Sequence, residues 1–214
     1  MHIPDGFISP VTYIPMWGVA GLLWYRSYKK ITLDSDQIPF LASLSALSFI
    51  MMMIAIPLPA GTSAHLSGVA LMALLFSPAL SFGAISLVLV IEALFFGEGG
   101  VTTLGINVVA IAFFGSYGAY YGYRWLRRFG EYFAIFAAGW LGLVLPALFI
   151  AVVLGLQPLI ASYSGTPLFF PFSIKTTTVA LLLPHVLLGI AEGVVTLLIY
   201  RFLKTNFKTV FDDK

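Results

Sequence analysis

The sequence predicts an all-α protein: a polytopic membrane helix bundle of seven hydrophobic segments, the third short, with the N-terminus outside and the C-terminus cytoplasmic. Three observations predict it. Of 214 residues, 60% are hydrophobic and only 9% charged, against roughly 25% charged in a soluble domain. The apolar runs are long and continuous, as helices that satisfy their own backbone in lipid require; a transmembrane β-barrel would show short alternating segments instead. Lysine and arginine are also distributed unevenly along the chain, which fixes a sidedness.

The leader, "MHIPDGFISP", holds a histidine, an aspartate, a glycine and two prolines. It lacks a basic region ahead of its first apolar stretch, so it does not read as a signal peptide and is expected to stay on the protein. The hydrophobic segments follow at about Thr12 to Tyr28, Pro39 to Ile56, Leu66 to Phe76, Ala79 to Phe96, Thr103 to Trp125, Tyr132 to Leu154 and Thr177 to Leu203. A full span needs roughly 20 residues. The third is too short, and Ser77-Pro78 separates it from the fourth, so it reads as a tilted or partial span turning near the cytoplasmic face.

The charges test this layout. Arg26, Lys29 and Lys30 follow the first segment. Arg124, Arg127 and Arg128 follow the fifth, and Arg201, Lys204, Lys208 and Lys214 the seventh; of the 11 basic residues only Lys175 lies elsewhere. Seven crossings with the N-terminus outside put all but Lys175 on the cytoplasmic side. The leader, "PLPAGTSAH", "GEGGVTT" and residues 155–176 then converge on the outer face. The whole of 1–214 reads as one transmembrane substrate-binding domain, with 1–10 an inserted N-terminal metal-binding segment.

Several chemistries are excluded. There are no cysteines, hence no disulfides, iron–sulfur clusters or thiolate metal sites. There is no G-x-x-x-x-G-K-[ST] loop, so the chain does not hydrolyse ATP by itself. H-E-x-x-H and G-x-S-x-G are absent too.

Met1–His2 offers a different chemistry. A free α-amine, the next amide nitrogen and the imidazole of residue 2 lie along one short covalent path. With the amide deprotonated, these nitrogens can wrap one metal in fused small rings, an arrangement suited to Ni(II) and Cu(II). His65, on the same outer side, can supply a fourth corner. The plain alternative is an exposed histidine on a frayed end. Against it, Pro4 fixes φ and Asp5-Gly6 favours a tight turn, while Phe7 and Ile8 can anchor the peptide on apolar helices.

Other residues are candidates by position. His185 lies about 12 Å into the seventh segment at helical rise, with Glu192 seven residues on along the same face. Ionisable groups at membrane depth are functional candidates; the competing reading is a hydrogen-bonded His185–Glu192 pair that packs the bundle. Glu92 sits one turn from the outer end of the fourth segment. Asp5 and Glu98 are plausible acceptors behind ligand imidazoles, and Asn107 closes the loop block that contains Glu98. Ala42 and Ala46, at small-xxx-small spacing, let helices approach closely and serve either internal packing or docking of another membrane subunit.

The blocks "MHIPDGFISP", "TSAHLSG" (62–68), "FFGEGGVTTLGINV" (95–108) and "HVLLGIAEGVVT" (185–196) resemble, in order and over most of the chain, the cobalt/nickel substrate-capture components of energy-coupling-factor transporters, the CbiM/NikM family. The resemblance implies a non-enzymatic, multi-pass component of the cell membrane that captures a divalent metal at the outer face. It implies partners: a transmembrane coupling subunit, two ATP-binding subunits and, in many systems, a small accessory membrane subunit. It implies metal ligands at Met1, His2 and His65. "MHIPDG" resembles the nickel branch more closely, since the cobalt branch more often carries Met-Glu in place of Pro-Asp; Ni(II) is the expected substrate, Co(II) the alternative, and no organic cofactor or nucleic acid is expected. Capture of an organic micronutrient, a membrane enzyme built on His185 and Glu192, and a metal-sensing receptor are the rival classes.

Overall fold

The computed structural model describes residues 1–32, 35–58 and 62–206. Lys208 and Lys214, part of the charge asymmetry above, lie outside these residues, as does the 59–61 part of the "PLPAGTS" loop.

The protein is mostly helical. Pro10 at the first position of α1 (Pro10–Tyr28) starts that helix, where its missing N–H costs nothing. A single tight turn (Ser35–Gln37) leads into α2 (Ile38–Met53). Strands β1 (Ile56–Leu58) and β2 (Thr62–Ala64) pair antiparallel, with Pro57 opposite Ser63. The third segment forms only α3 (Val69–Leu75), buried at every position but Leu74. Its seven residues rise about 10 Å, well under the roughly 30 Å of a full span. Ser77 then caps α4 (Pro78–Ile91) by accepting from Leu80 N–H.

Two helices widen near one end of the bundle. α4 continues as a π-helical turn over Glu92–Phe96. α5 (Leu104–Asn107) runs through a π-helical stretch, Val108–Phe114, into α6 (Gly115–Leu126). Such widenings recur at functional sites. α7 (Glu131–Gly155) is followed by the single turn α8 (Gln157–Ile160) and a hairpin of β3 (Ser162–Tyr163) and β4 (Thr166–Pro167). The hairpin turns at Ser164 and Gly165, both at positive φ, as a two-residue turn matched to strand twist requires. α9 (Ile174–Asn206) is the longest helix.

Among the described residues five helices are long and apolar enough to cross a membrane: Ser35–Met53, Pro78–Phe96, Leu104–Phe129, Glu131–Ile160 and Ile174–Asn206. Their polarity is the inverse of a soluble helix. Along α9, Val179, Leu183, Leu187, Ile190, Val194 and Leu198 are exposed, while Thr177, His185, Glu192 and Thr196 are buried. An apolar outer stripe with polar groups inside is stable only where the surroundings are apolar. Ala42 and Ala46 lie exposed on α2 rather than in the core.

α7 and α9 run antiparallel and touch along most of their length. Their backbones meet at Gly139 and Gly193: a Cβ on Gly139 would stand 2.7 Å from Gly193 Cα. Past one end of this contact, Lys204 Nζ meets Glu131 Oε1 at 2.6 Å. Gly139→Val is therefore expected to force the pair apart, at roughly 1–3 kcal/mol for overpacking, and to lower the midpoint of thermal unfolding in detergent by several degrees. Gly18→Ala, inside α1 with its Cβ meeting nothing within 4 Å, should not lower it.

Candidate metal site

The leader does not fray. It folds back into the end of the bundle where α4 and α5 widen, and the main chain of Ile3 holds it there. Ile3 N–H donates to Asn107 Oδ1 at 2.9 Å. The Ile3 carbonyl accepts from Gly100 N–H at 2.9 Å, Thr103 Oγ1 at 2.6 Å and Asn107 Nδ2 at 3.1 Å. The Asp5 carboxylate accepts from Val101 N–H, Thr102 N–H and the Thr102 hydroxyl. Burial alone would raise the Asp5 pKa, but these hydrogen bonds prevail and hold it below the usual carboxylate range. Further along, Ser9 N–H donates to Gln157 Oε1 at 3.0 Å and Phe170 N–H to the Phe7 carbonyl at 3.2 Å.

Loop 97–103 takes this shape through glycine. Gly97 and Gly99 lie at φ +69° and +81°, a region that side chains with a Cβ disfavour. A Cβ on Gly100 would fall 2.3 Å from an Asp5 carboxylate oxygen, and one on Gly99 would meet His2 Cβ at 3.1 Å.

The docked leader buries both Met1 and His2. The Met1 α-amine donates to Ser63 Oγ at 2.9 Å. The His2 ring stacks on His65, centroids 4.8 Å apart and planes at 18°. His2 Nε2 stands 3.2 Å from Glu92 Oε2, and its Nδ1 4.0 Å from Glu98 Oε2. His65 Nδ1 lies 3.0 Å from the Leu66 carbonyl, and His185 Nδ1 2.7 Å from that of Leu181. Carbonyls only accept, so each Nδ1 carries the proton and each Nε2 keeps a lone pair. Both nitrogens of His2, Nε2 of His65 and His185, and both oxygens of Glu92 are buried with no hydrogen-bond partner. Groups so placed are costly unless something satisfies them.

Burial also strips these nitrogens of protons. Desolvation, opposed only in part by Glu98 and Glu92, lowers the Met1 amine from 8.0 to about 4. Desolvation, then the amine's charge, lowers His2 from 6.5 to about 3. His65 lies well below 6.5 for the same two reasons, with His2 and His185 adding to them. At neutral pH the three present lone pairs, the state in which nitrogen binds a metal. Among the described residues no three His, Asp or Glu side chains are grouped to hold an ion, so an ion held here by four ligands would need main-chain donors as well.

The structure thus brings Met1, His2 and His65 together, with Glu92, Glu98, Asp5 and Asn107 around them. Glu192 is elsewhere. Its carboxylate accepts from Ser67 N–H, Ser67 Oγ and Gly68 N–H at 2.8–3.1 Å, tying the start of α3 to α9. The expected His185–Glu192 hydrogen bond is not made, because each group already has a main-chain partner. Sequence reasoning missed Ser63, Thr102, Thr103 and Gln157, although Ser63, Thr102 and Thr103 sit inside the blocks that drew attention to His65 and Glu98.

The family described as "Cobalt uptake substrate-specific transmembrane region" (CbiM) matches residues 2–209. A putative metal transport protein of Methanocaldococcus jannaschii is 35% identical over 100% of this chain and 96% of its own. The fused nickel transport protein NikMN of Rhodobacter capsulatus is 37% identical over 92% of this chain, which spans 59% of that protein. The cobalt transport protein CbiM of Carboxydothermus hydrogenoformans is 31% identical over 95% of this chain and 83% of its own. A crystal structure of a truncated transition metal transporter superposes with a TM-score of 0.92 at 34% identity, covering 96% of this chain and 99% of that one.

Gly100→Ala is expected to unseat the leader, because the new methyl overlaps Asp5. Hydrogen exchange should rise at the amides of Ile3 and Ser9, while the Gly139–Gly193 contact of α7 and α9 stays protected.

Proposed function

The chain belongs to the CbiM family of cobalt and nickel uptake transmembrane components, and we propose from that premise that it captures Ni(II) at the outer face through an amine, amide and imidazole chelate. The α-amine of Met1, the amide nitrogen of His2 and His2 Nδ1 form two fused rings, and His65 Nε2 completes a plane. The observation that carries this reading is the buried cluster in which the Met1 amine, held by Ser63 Oγ, lies beside His2 and His65, where His2 Nδ1, His2 Nε2 and His65 Nε2 have no hydrogen-bond partner. Planar nitrogen donors favour Ni(II); Co(II) is the second reading, supported by the cobalt transport relatives.

Binding through Nδ1 directs His2 Nε2 at Glu92, 3.2 Å away. A carboxylate behind a ligand imidazole fixes its tautomer and makes it a better donor. Asp5, Asn107 and loop 97–103 hold the peptide rather than the ion. His185 lies beneath the site with Nε2 open.

We place the N-terminus outside, with seven crossings counted through the short α3, which puts every lysine and arginine but Lys175 on the cytoplasmic side. The chain is a transport component, not an enzyme: it works beside a transmembrane coupling subunit and two ATP-binding subunits, with a small accessory membrane subunit. The fused NikMN relatives support such an assembly. Exposed Ala42 and Ala46 on α2 offer the close-approach face for docking.

Adding one residue ahead of Met1 should abolish the chelate, and His65→Ala should weaken Ni(II) by at least about 100-fold, since even groups behind a ligand are worth 10–100-fold. Lys175→Ala should bind as the wild type does. Isothermal titration on protein with an authentic Met1 amine measures all three. The bound ion should show the visible band of low-spin square-planar Ni(II), and a high-spin octahedral spectrum would overturn the geometry.

The pH dependence follows from the lowered pKa values. Between about pH 5.5 and 7.5 the buried amine and imidazoles carry no proton to lose, so binding releases only the amide proton. The logarithm of the affinity should then rise about one unit per pH unit. With ordinary values of 8.0 and 6.5, the slope would approach about four at the acid end.

A further inference from the structure

The chelate explains where an ion is held, not how a hydrated cation reaches nitrogens on residues no more than 5% exposed. A cavity among the described residues leads to them. It holds ≈ 310 Å³ between the β1–β2 hairpin and the start of loop 97–103, and its wall includes His2, Pro4, Ser63, Glu98 and Gly99. Two other cavities at this end offer no carboxylate: one of ≈ 90 Å³ is bounded mainly by Phe170, Phe172 and Leu181, the other by Phe7 and residues 168–172.

Glu98 is the one acidic residue on the wall of the larger cavity. Its side chain is 36% exposed, yet its Oε2 is 4.0 Å from His2 Nδ1, a buried nitrogen with no partner. It therefore reaches solvent and chelate at once. The neighbouring carboxylates cannot do so: Asp5 is taken up by loop amides and Glu92 is fully buried. The backbone holds Glu98 at this threshold. Its N–H donates to the Glu92 carbonyl at 3.1 Å, and it stands between Gly97 and Gly99, both at positive φ.

We propose that Glu98 is the receiving carboxylate of the entrance: it meets the hydrated divalent cation in this cavity and passes it to His2 Nδ1, without remaining a ligand. This rests on the metal-capture reading. The 4.0 Å gap is about the sum of one metal–oxygen and one metal–nitrogen bond of roughly 2.0 Å each, so an ion can touch both atoms before the amine, amide and His65 close around it. A carboxylate in such a mouth also raises the encounter rate, an effect worth at least about tenfold and screened by salt.

Stopped-flow Ni(II) binding to the full chain with an authentic N-terminus tests this. Glu98→Gln should slow association about tenfold at low salt, flatten its salt dependence and change dissociation less than twofold, with the same spectrum at saturation. Glu98→Asp should keep most of the salt dependence. Unchanged association in Glu98→Gln would overturn the proposal, and so would faster dissociation, which marks Glu98 as a ligand of the finished site. Wild-type protein that binds no Ni(II) would overturn the chelate and the entrance with it; wild-type binding with an indifferent Glu98→Gln overturns only the entrance.

Discussion

The hydrogen bonds around Ile3 set the geometry on which the N-terminal end of the bundle depends. One carbonyl takes three donors, and one N–H goes to the same Asn107 that supplies one of them. Pro4 and the Asp5-Gly6 turn bend the leader but do not seat it. Loop 97–103 and α5 fix it from outside, through the Gly100 amide and the side chains of Thr103 and Asn107, about a hundred positions away in sequence. Met1 and His2 are therefore placed by their neighbour, and the side chains that carry the chemistry are free of structural duty.

That division of labour explains the open lone pairs. Had His2 or His65 been needed to hold the peptide, its nitrogens would be spent on hydrogen bonds. Instead Ser63 meets the amine, Asn107 and Thr103 meet the main chain, and the imidazole lone pairs stay unused. Burial then does the rest, since a desolvated base prefers to be neutral. A cation bound as proposed would offset the cost of hiding unsatisfied nitrogen.

Much of this was legible in the sequence. Composition and run length gave a helical membrane protein; the gathering of His2, His65, Glu98 and Asp5 at one end could be argued from charge placement and loop chemistry. What the residues could not reveal were pairings set by tertiary approach. Glu192 read as a partner for His185, because both lie on one face of one helix; the competing carbonyl of Leu181 and the donors of Ser67 and Gly68 belong to geometry that spacing does not contain. Gln157 looked like a loop residue yet holds Ser9. The π-helical widenings that seat Glu92 and Asn107 leave no periodic trace either, since the apolar pattern runs straight through them.

The leader is fastened at two separate stations, by loop 97–103 through Ile3 and Asp5 and by the stretch between α7 and α9 through Phe7 and Ser9. Neither station exists when the leader leaves the ribosome. Synthesis proceeds from the N-terminus at about 5–20 residues per second, so the first ten residues wait for at least 150 more before both of their partners have been made. The earliest part of the chain to be synthesised cannot be fastened at both stations until Phe170 has been made. The α-amine can be sequestered only once Ser63 and loop 97–103 have been made, and the leader fastened along its length only once Gln157 and Phe170 have been.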